Sequence, residues 1–313
     1  MPNPLGVLLM AYGTPKSPER QDVAAYYTHI RHGRAPSPEQ LDDLVGRYRA
    51  IGGSPLFAIT AGQRDGLQAL LDDRHGAGSL RVYLGLKHAP PFIADAMAAM
   101  AADGVREAVA LVLAPHYSSM SVGVYLAEAH AAALLQRPPL TLYPVRQWHL
   151  HPGLTALWAD RITAARARFT PLERESLVVI FSAHSLPERL RATADPYPAQ
   201  VPATGHAVAR LLGLSRYTFC WQSAGRTSEP WMGPDILEKL SRLRAAGNLA
   251  ALVCPTGFVA DHLEVLYDLD VAAKNHASRI GLHFERTAQL NTDPRFLAVL
   301  ADVVADALAG KAS

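Results

Sequence analysis

The chain has 313 residues, 49% of them apolar and 19% charged, with a formal net charge of +2. That length exceeds one small core and suits two lobes of about 150 residues each, and the composition excludes extensive disorder. Balanced charge and the lack of any Lys/Arg run exclude a nucleic-acid partner, although a few placed arginines still suffice for a small acidic substrate.

The start, Met1-Pro-Asn-Pro4, leads into an apolar run of only Val7 to Met10. It has neither a signal-length stretch nor the roughly 18 apolar residues of a membrane helix, so a cytoplasmic protein without an integral membrane segment is expected. Gly6-Val-Leu-Leu-Met-Ala-Tyr-Gly-Thr-Pro15 reads as a buried parallel strand breaking into a loop that carries Tyr12. A polar segment follows, Lys16-Ser-Pro-Glu-Arg-Gln-Asp22. Tyr26-Tyr-Thr-His-Ile-Arg-His-Gly-Arg34 and Arg47-Tyr-Arg-Ala-Ile-Gly-Gly-Ser-Pro55 place Arg, Tyr and Ser on loops around glycine turns. Guanidinium forks and hydroxyls of this kind orient carboxylates.

Arg81–Gly85 reads as a second strand, with Lys87 and His88 behind it, then an amphipathic helix over Pro91–Ala102 stopping at Gly104. Ala108-Val-Ala-Leu-Val-Leu-Ala-Pro115 is a third strand, ending before His116 and Tyr117. The second half repeats this order. Leu177-Val-Val-Ile-Phe-Ser-Ala-His-Ser-Leu-Pro187 corresponds to the opening strand, Arg216–Cys220 to the second, a helix over Pro234–Ala246 stops at Gly247, and Ala250–Pro255 closes the unit. Strand–helix–strand alternation predicts two similar doubly wound, Rossmann-like α/β lobes with four-stranded parallel sheets and a cleft between them. The expected boundaries are 1–150 and 151–313, with the joining sequence within 150–175 and the C-terminal helix able to pack back on the first lobe. Ligands of such folds bind beyond the carboxyl ends of the strands. Attention therefore falls on the loops after Met10, Leu113, Phe181 and Cys254.

His184 follows a buried strand in Ser182-Ala-His-Ser-Leu-Pro187, a position for a metal ligand or a base as well as for a residue capping the turn. Thr256-Gly-Phe-Val-Ala-Asp-His-Leu-Glu-Val-Leu-Tyr-Asp268 is expected to start a helix near Val259 or Asp261. Glu264 and Asp268 then share one face and can pass a hydrated cation inward, or form an ordinary solvated acidic face. Asp261 reads as a charge complementing the helix dipole, and His262 points about a third of a turn away from Glu264. Lys87 and His88 suit an anionic substrate or simple loop packing. Cys220 and Cys254, the only cysteines, read as buried small hydrophobes. Two thiols cannot hold an iron–sulfur cluster.

These motifs resemble the ferrochelatase family: Ala11-Tyr-Gly-Thr-Pro15, Tyr26–Arg31, Arg47-Tyr48, Ile51-Gly-Gly-Ser-Pro55, Gly85-Leu-Lys-His88, Pro115-His-Tyr117, Ser182–Pro187, Trp221-Gln-Ser223, Pro230-Trp231 and Gly257–Asp268, in order along nearly the whole chain. The resemblance is closest to the soluble, cluster-free branch of Gram-positive type that makes coproheme. It implies a chelatase-like fold and insertion of Fe(II) into coproporphyrin III, the iron being substrate and no cofactor resident. His184 and Glu264 would be the catalytic, metal-facing pair, with Asp268 delivering the cation and Tyr12 ligating the product iron from the opposite face. Arg31, Arg47, Tyr48, Ser54, Tyr125, Lys87 and His88 would hold propionates and frame the pocket, and Trp231 would stack on the macrocycle. A monomer with transient haem-pathway partners is expected. The alternatives are protoporphyrin IX as substrate, a sirohydrochlorin cobalt or iron chelatase, and a haem or metal carrier without turnover. One departure from the family is Ala272, where the acidic stripe of related enzymes continues past Asp268. The other is the polar Lys16–Asp22 segment, apolar in membrane-associated relatives.

Overall fold

The computed structural model describes residues 4–310; the Met1-Pro2-Asn3 start, on which part of the signal-peptide reading falls, lies outside them. The chain divides into two compact units. One runs to Trp148 and resumes at Asn291, and the other spans His149–Leu290.

The first unit is built on β1 (Leu5–Ala11), β2 (Leu80–Leu86), β3 (Glu107–Val112) and β4 (Thr141–Val145), all parallel in the order β2-β1-β3-β4. The second is built on β5 (Val178–His184), β6 (Tyr217–Gln222), β7 (Ala250–Cys254) and β8 (His283–Arg286), parallel in the order β6-β5-β7-β8. The repeated strand logic read from the sequence is thus a repeated topology. Central strands are covered on both faces, which is why Val7, Leu8, Leu9 and Met10 are all fully buried and why such strands read as unbroken apolar runs. In each sheet the connections leave the first strand in opposite directions. A crevice therefore opens at the carboxyl ends of β1 and β3, and another at those of β5 and β7.

Helix ends follow local chemistry. Gly104 and Gly247 sit just past helices Ile93–Ala102 and Ile236–Ala245 with φ of 79° and 84°, the left-handed stop expected of them. Both helices begin two residues later than the prolines suggested. The Asp235 side chain accepts from the Glu238 amide, and Asp95 accepts from the Phe92 amide, so the caps rather than the prolines set the starts.

The Arg/Tyr cluster of the N-terminal third departs further from expectation. Tyr26–Ile30 and Arg47–Ala50 are not loops but the last turns of helices Arg20–Ile30 and Pro38–Ala50. Ser37 and Gln40 form a capping box with Pro38 at the first position, which nucleates the second of these helices.

The C-terminal helix Pro294–Ala309 belongs to the first unit, where it packs on helix Leu56–His75 and along β3 and β4. Its apolar stripe of Phe296, Leu300 and Val304 is fully buried. Among the described residues no helix is long and apolar enough to cross a membrane. Cys220 and Cys254 are free and buried, and burial pushes the Cys254 thiol up to about 12.

Candidate active site

In the second unit the crevice is furnished by β5 and by the segment that follows β7. His184 is the last residue of β5 and pairs in register with Gln222 of β6. Its carbonyl accepts from the Tyr197 hydroxyl at 2.9 Å, which fixes the strand end. The buried Ser182 hydroxyl donates to Gln222 Oε1 at 2.9 Å, and Gln222 Nε2 donates to the Glu264 carbonyl at 2.7 Å. Strand β5 is thereby linked through β6 to the backbone of Glu264. Ser223, held at φ 60°, donates to the carboxylate of Asp268.

The Glu264 segment folds differently from its sequence reading. Gly257 donates to the Ser182 carbonyl at 3.1 Å, and a Cβ there would lie 2.4 Å from Ala183 Cβ, so the loop lies flat against β5. No helix starts at Val259 or Asp261. His262 is extended at φ −158°, a single turn begins at Leu263, and a π-helix spans Leu266–Ala273. The angular argument that turned His262 away therefore fails, because no helix precedes Leu263. His262 Nε2 lies 3.7 Å from Glu264 Oε2. Asp261 is not a helix-dipole charge either; it pairs with Arg286 at 3.1 Å.

His184 Nδ1 and Glu264 Oε2 are 3.1 Å apart, with side chains 34% and 35% exposed. Burial opposes the imidazolium, but the Glu264 carboxylate and its hydrogen bond outweigh it, aided by Asp268, so the His184 pKa is raised. Burial would likewise raise Glu264, yet His184 and then His262 hold it well below the usual carboxylate range. One imidazole and one carboxylate, each about a third exposed, suit a first-row divalent cation and leave its other positions to water or to an incoming ligand. Asp268 is four residues on, and Ala272 follows without a carboxylate. The Trp231 ring stands edge-on 6.3 Å from the His184 ring, anchored by Nε1 donating to Thr227 at 2.7 Å. It covers Gly225, where a Cβ would come within 2.2 Å of it.

In the first unit Tyr12 follows β1 and is 43% exposed at the strand end. The Tyr26 hydroxyl donates to the Gly13 carbonyl at 3.0 Å and ties down the turn after it. The Tyr12 ring meets that of buried His88 edge-on at 4.6 Å. Burial first, then Lys87, His29 and His32, lower the His88 pKa to about 4, so the ring is neutral near pH 7. His88 Nδ1 lies 3.0 Å from His29 Nδ1, which requires one ring to donate and the other to accept. The Lys87 ammonium sits 5.2 Å above the ring of buried Tyr125, and burial lowers its pKa.

The remaining candidates occupy their own helix ends. Arg31 donates to Gln40 at 3.2 Å, Arg47 pairs with Asp43 at 3.0 Å, Tyr48 is buried, and the Ser54 hydroxyl accepts from the Leu56 amide at 3.3 Å. Of the supporting residues, Tyr197 has no reading from sequence, while Ser182, Gln222 and Ser223 stand in the resembling motifs without an assigned role; Gln222 and Ser223 also carry a second signal, as polar residues directly ending an apolar strand.

A family model described as Ferrochelatase matches residues 4–308. Among curated relatives, a coproporphyrin III ferrochelatase of Geobacillus thermodenitrificans is 47% identical over 307 residues, covering 97% of this chain and 96% of the relative. That of Anoxybacillus flavithermus is 47% identical over 303 residues, covering 96% and 95%. Among solved structures, SirB from Bacillus subtilis with Fe3+ aligns with a TM-score of 0.61 at 12% identity over 98% of this chain and 97% of that one. A multi-domain Deinococcus radiodurans protein with structural similarity to chelatases, DR2241, gives 0.56 at 12% identity over 97% and 55%. At such identities these two structures speak for the fold alone.

Proposed function

The chain belongs to the ferrochelatase family, and from that premise we propose that it inserts Fe(II) into coproporphyrin III to yield coproheme in haem biosynthesis. The observation that carries the reading is the 3.1 Å pair of His184 and Glu264 at the strand-end crevice of the second sheet. Insertion exchanges one dication for the two pyrrole protons of the macrocycle. It needs a proton acceptor beside a cation donor, and a neutral imidazole next to a carboxylate supplies both. Glu264, with Asp268 behind it, delivers and strips the hydrated cation; His184 ligates it early and takes up one of the two pyrrole protons, and the second leaves to solvent water. A cation arriving at Glu264 offsets the charge that raises the His184 pKa, so metal delivery and the basicity of the imidazole are coupled.

Tyr12 then ligates the product iron through its phenol. Arg31, Arg47, Tyr48, Ser54, Tyr125, Lys87 and His88 hold propionates and frame the pocket, Tyr48 and Tyr125 from buried positions. Trp231 offers its indole face to the macrocycle. A macrocycle bound out of plane exposes nitrogen lone pairs, with binding energy spent on the distortion. Iron is substrate here, not a resident cofactor, and the enzyme works as a cytoplasmic monomer.

Four propionates favour coproporphyrin III over protoporphyrin IX, and the printed names of the curated relatives support that choice. A competition assay with both porphyrins and Fe(II) under anaerobic conditions tests it. Coproporphyrin III should be consumed first; preferential turnover of protoporphyrin IX would reverse the substrate assignment while leaving metal insertion intact.

A further inference from the structure

Behind the Glu264 segment lies a cation with no task in the reaction described above. Arg286 ends β8 with its side chain only 15% exposed. Its fork meets both oxygens of Asp270, Nε at 2.7 Å and Nη2 at 2.8 Å, while Nη2 also lies 3.1 Å from Asp261 Oδ1. Its Nη1 donates to the Thr287 carbonyl at 3.1 Å. Asp261 precedes Glu264 by three residues, in the loop leaving β7, and Asp270 follows it by six, inside the π-helix. One rigid, planar cation therefore fastens the segment on both sides of Glu264. The other margin is held from β6, where Gln222 grips the Glu264 carbonyl and Ser223 grips Asp268. Glu264 is suspended between two strands of the same sheet, with Arg286 as the anchor on the β8 side.

We infer that Arg286 is a positioning residue for metal insertion: by clamping Asp261 and Asp270 to the end of β8 it sets where Glu264 stands relative to His184, and so governs the capture of Fe(II). The inference rests on the assignment of His184 and Glu264 as the metal-facing pair. Its physical basis is the loss of a counter-ion from a largely buried carboxylate: Asp261, 20% exposed, then gains by moving toward water, while Asp270, 41% exposed, is released from the two-point contact that fixes its segment to β8. A lysine supplies the charge but not the fork, so it can hold one carboxylate and not both in the same geometry. The clamp touches no group that takes part in the chemistry. Loosening it should therefore act on the cation and spare the porphyrin.

The test compares wild type, Arg286→Ala, Arg286→Lys and Asp270→Asn in anaerobic coproporphyrin III metallation, with Fe(II) titrated at saturating porphyrin. Porphyrin affinity is read separately from quenching of its fluorescence. The expected result is a KM for Fe(II) raised at least about tenfold in Arg286→Ala and less in Arg286→Lys, with porphyrin affinity within about twofold of wild type. Asp270→Asn, which keeps Arg286 and breaks the two-point contact, should raise the same KM and guards against an alanine variant that fails to fold. A solvent-accessible cavity of about 320 Å³ borders Asp261, Asp270 and Arg286, so millimolar guanidinium should restore part of the lost Fe(II) affinity in Arg286→Ala. A wild-type KM for Fe(II) in Arg286→Ala, or parallel losses of iron and porphyrin binding, would overturn the inference. His184→Ala, run alongside, separates the two levels. Retained insertion in that variant sinks the site assignment itself, whereas lost insertion there with an unaffected Arg286→Ala sinks the positioning role alone.

Discussion

His184 and Glu264 perturb each other in opposite directions, and the sign of that coupling is measurable in the protein without metal. Burial alone would lower the imidazole pKa, and the carboxylate beside it, with a smaller contribution from Asp268, reverses the shift. Glu264→Gln should therefore move the His184 pKa from above the ordinary 6.5 to below it, read by NMR titration of the ring; an unmoved value would mean that another group sets it. His88 is the opposite case, a buried ring lowered to about 4 with no carboxylate to compensate. The unfolded chain takes up that proton below about 6.5, so this group makes stability fall as pH drops from there toward 4. Its share between pH 7 and pH 5 is about 2 kcal/mol, and His88→Gln should flatten the pH dependence of the unfolding free energy from urea titrations by that amount. Both residues could be picked from sequence because each lies at or shortly after the end of a strand-like run. The Lys87–Tyr125 contact and the His29–His88 pair could not, since their members come from separate elements brought together only by folding.

The strands were legible because β1, β3, β5 and β7 are buried on both faces and leave continuous apolar runs in the sequence. The helix carrying Glu264 was not, because its wide turn depends on contacts distant in sequence: Ser223 and Arg286 hold Asp268 and Asp270 in place. A periodicity of 3.6 fitted to that stretch misplaced both its start and the direction of His262. The loop before it offers a direct probe. Gly257 has no room for a Cβ against Ala183, and the atoms in the way include backbone. Gly257→Ala should lift the 255–262 loop off β5 and separate Glu264 from His184, lowering the insertion rate by at least about tenfold (about 1.4 kcal/mol in the barrier). Wild-type turnover in a folded Gly257→Ala protein would show that this seat does not set the geometry of the pair.

At the scale of the molecule, the same strand order occurs twice, with a crevice at equivalent strand ends in each sheet. One of these ends carries Tyr12 and the other His184, so the repeated topology presents different side chains at its two strand ends. The chain returns to the first unit after Leu290, so that unit depends on the final helix. Phe296 is fully buried there, 6.0 Å from the Trp148 ring, and Phe296→Ala should cost about 3–5 kcal/mol. Amide exchange should then accelerate in β1 and β3 more than in β5 and β7. The reaction itself is tested most directly by mixing coproporphyrin III and Fe(II) anaerobically with wild-type or His184→Ala protein and following porphyrin absorbance. Wild type should convert the free-base spectrum to that of the iron complex. His184→Ala should bind the porphyrin yet insert iron slower by about 10²-fold or more. Insertion at the wild-type rate by His184→Ala would contradict the account.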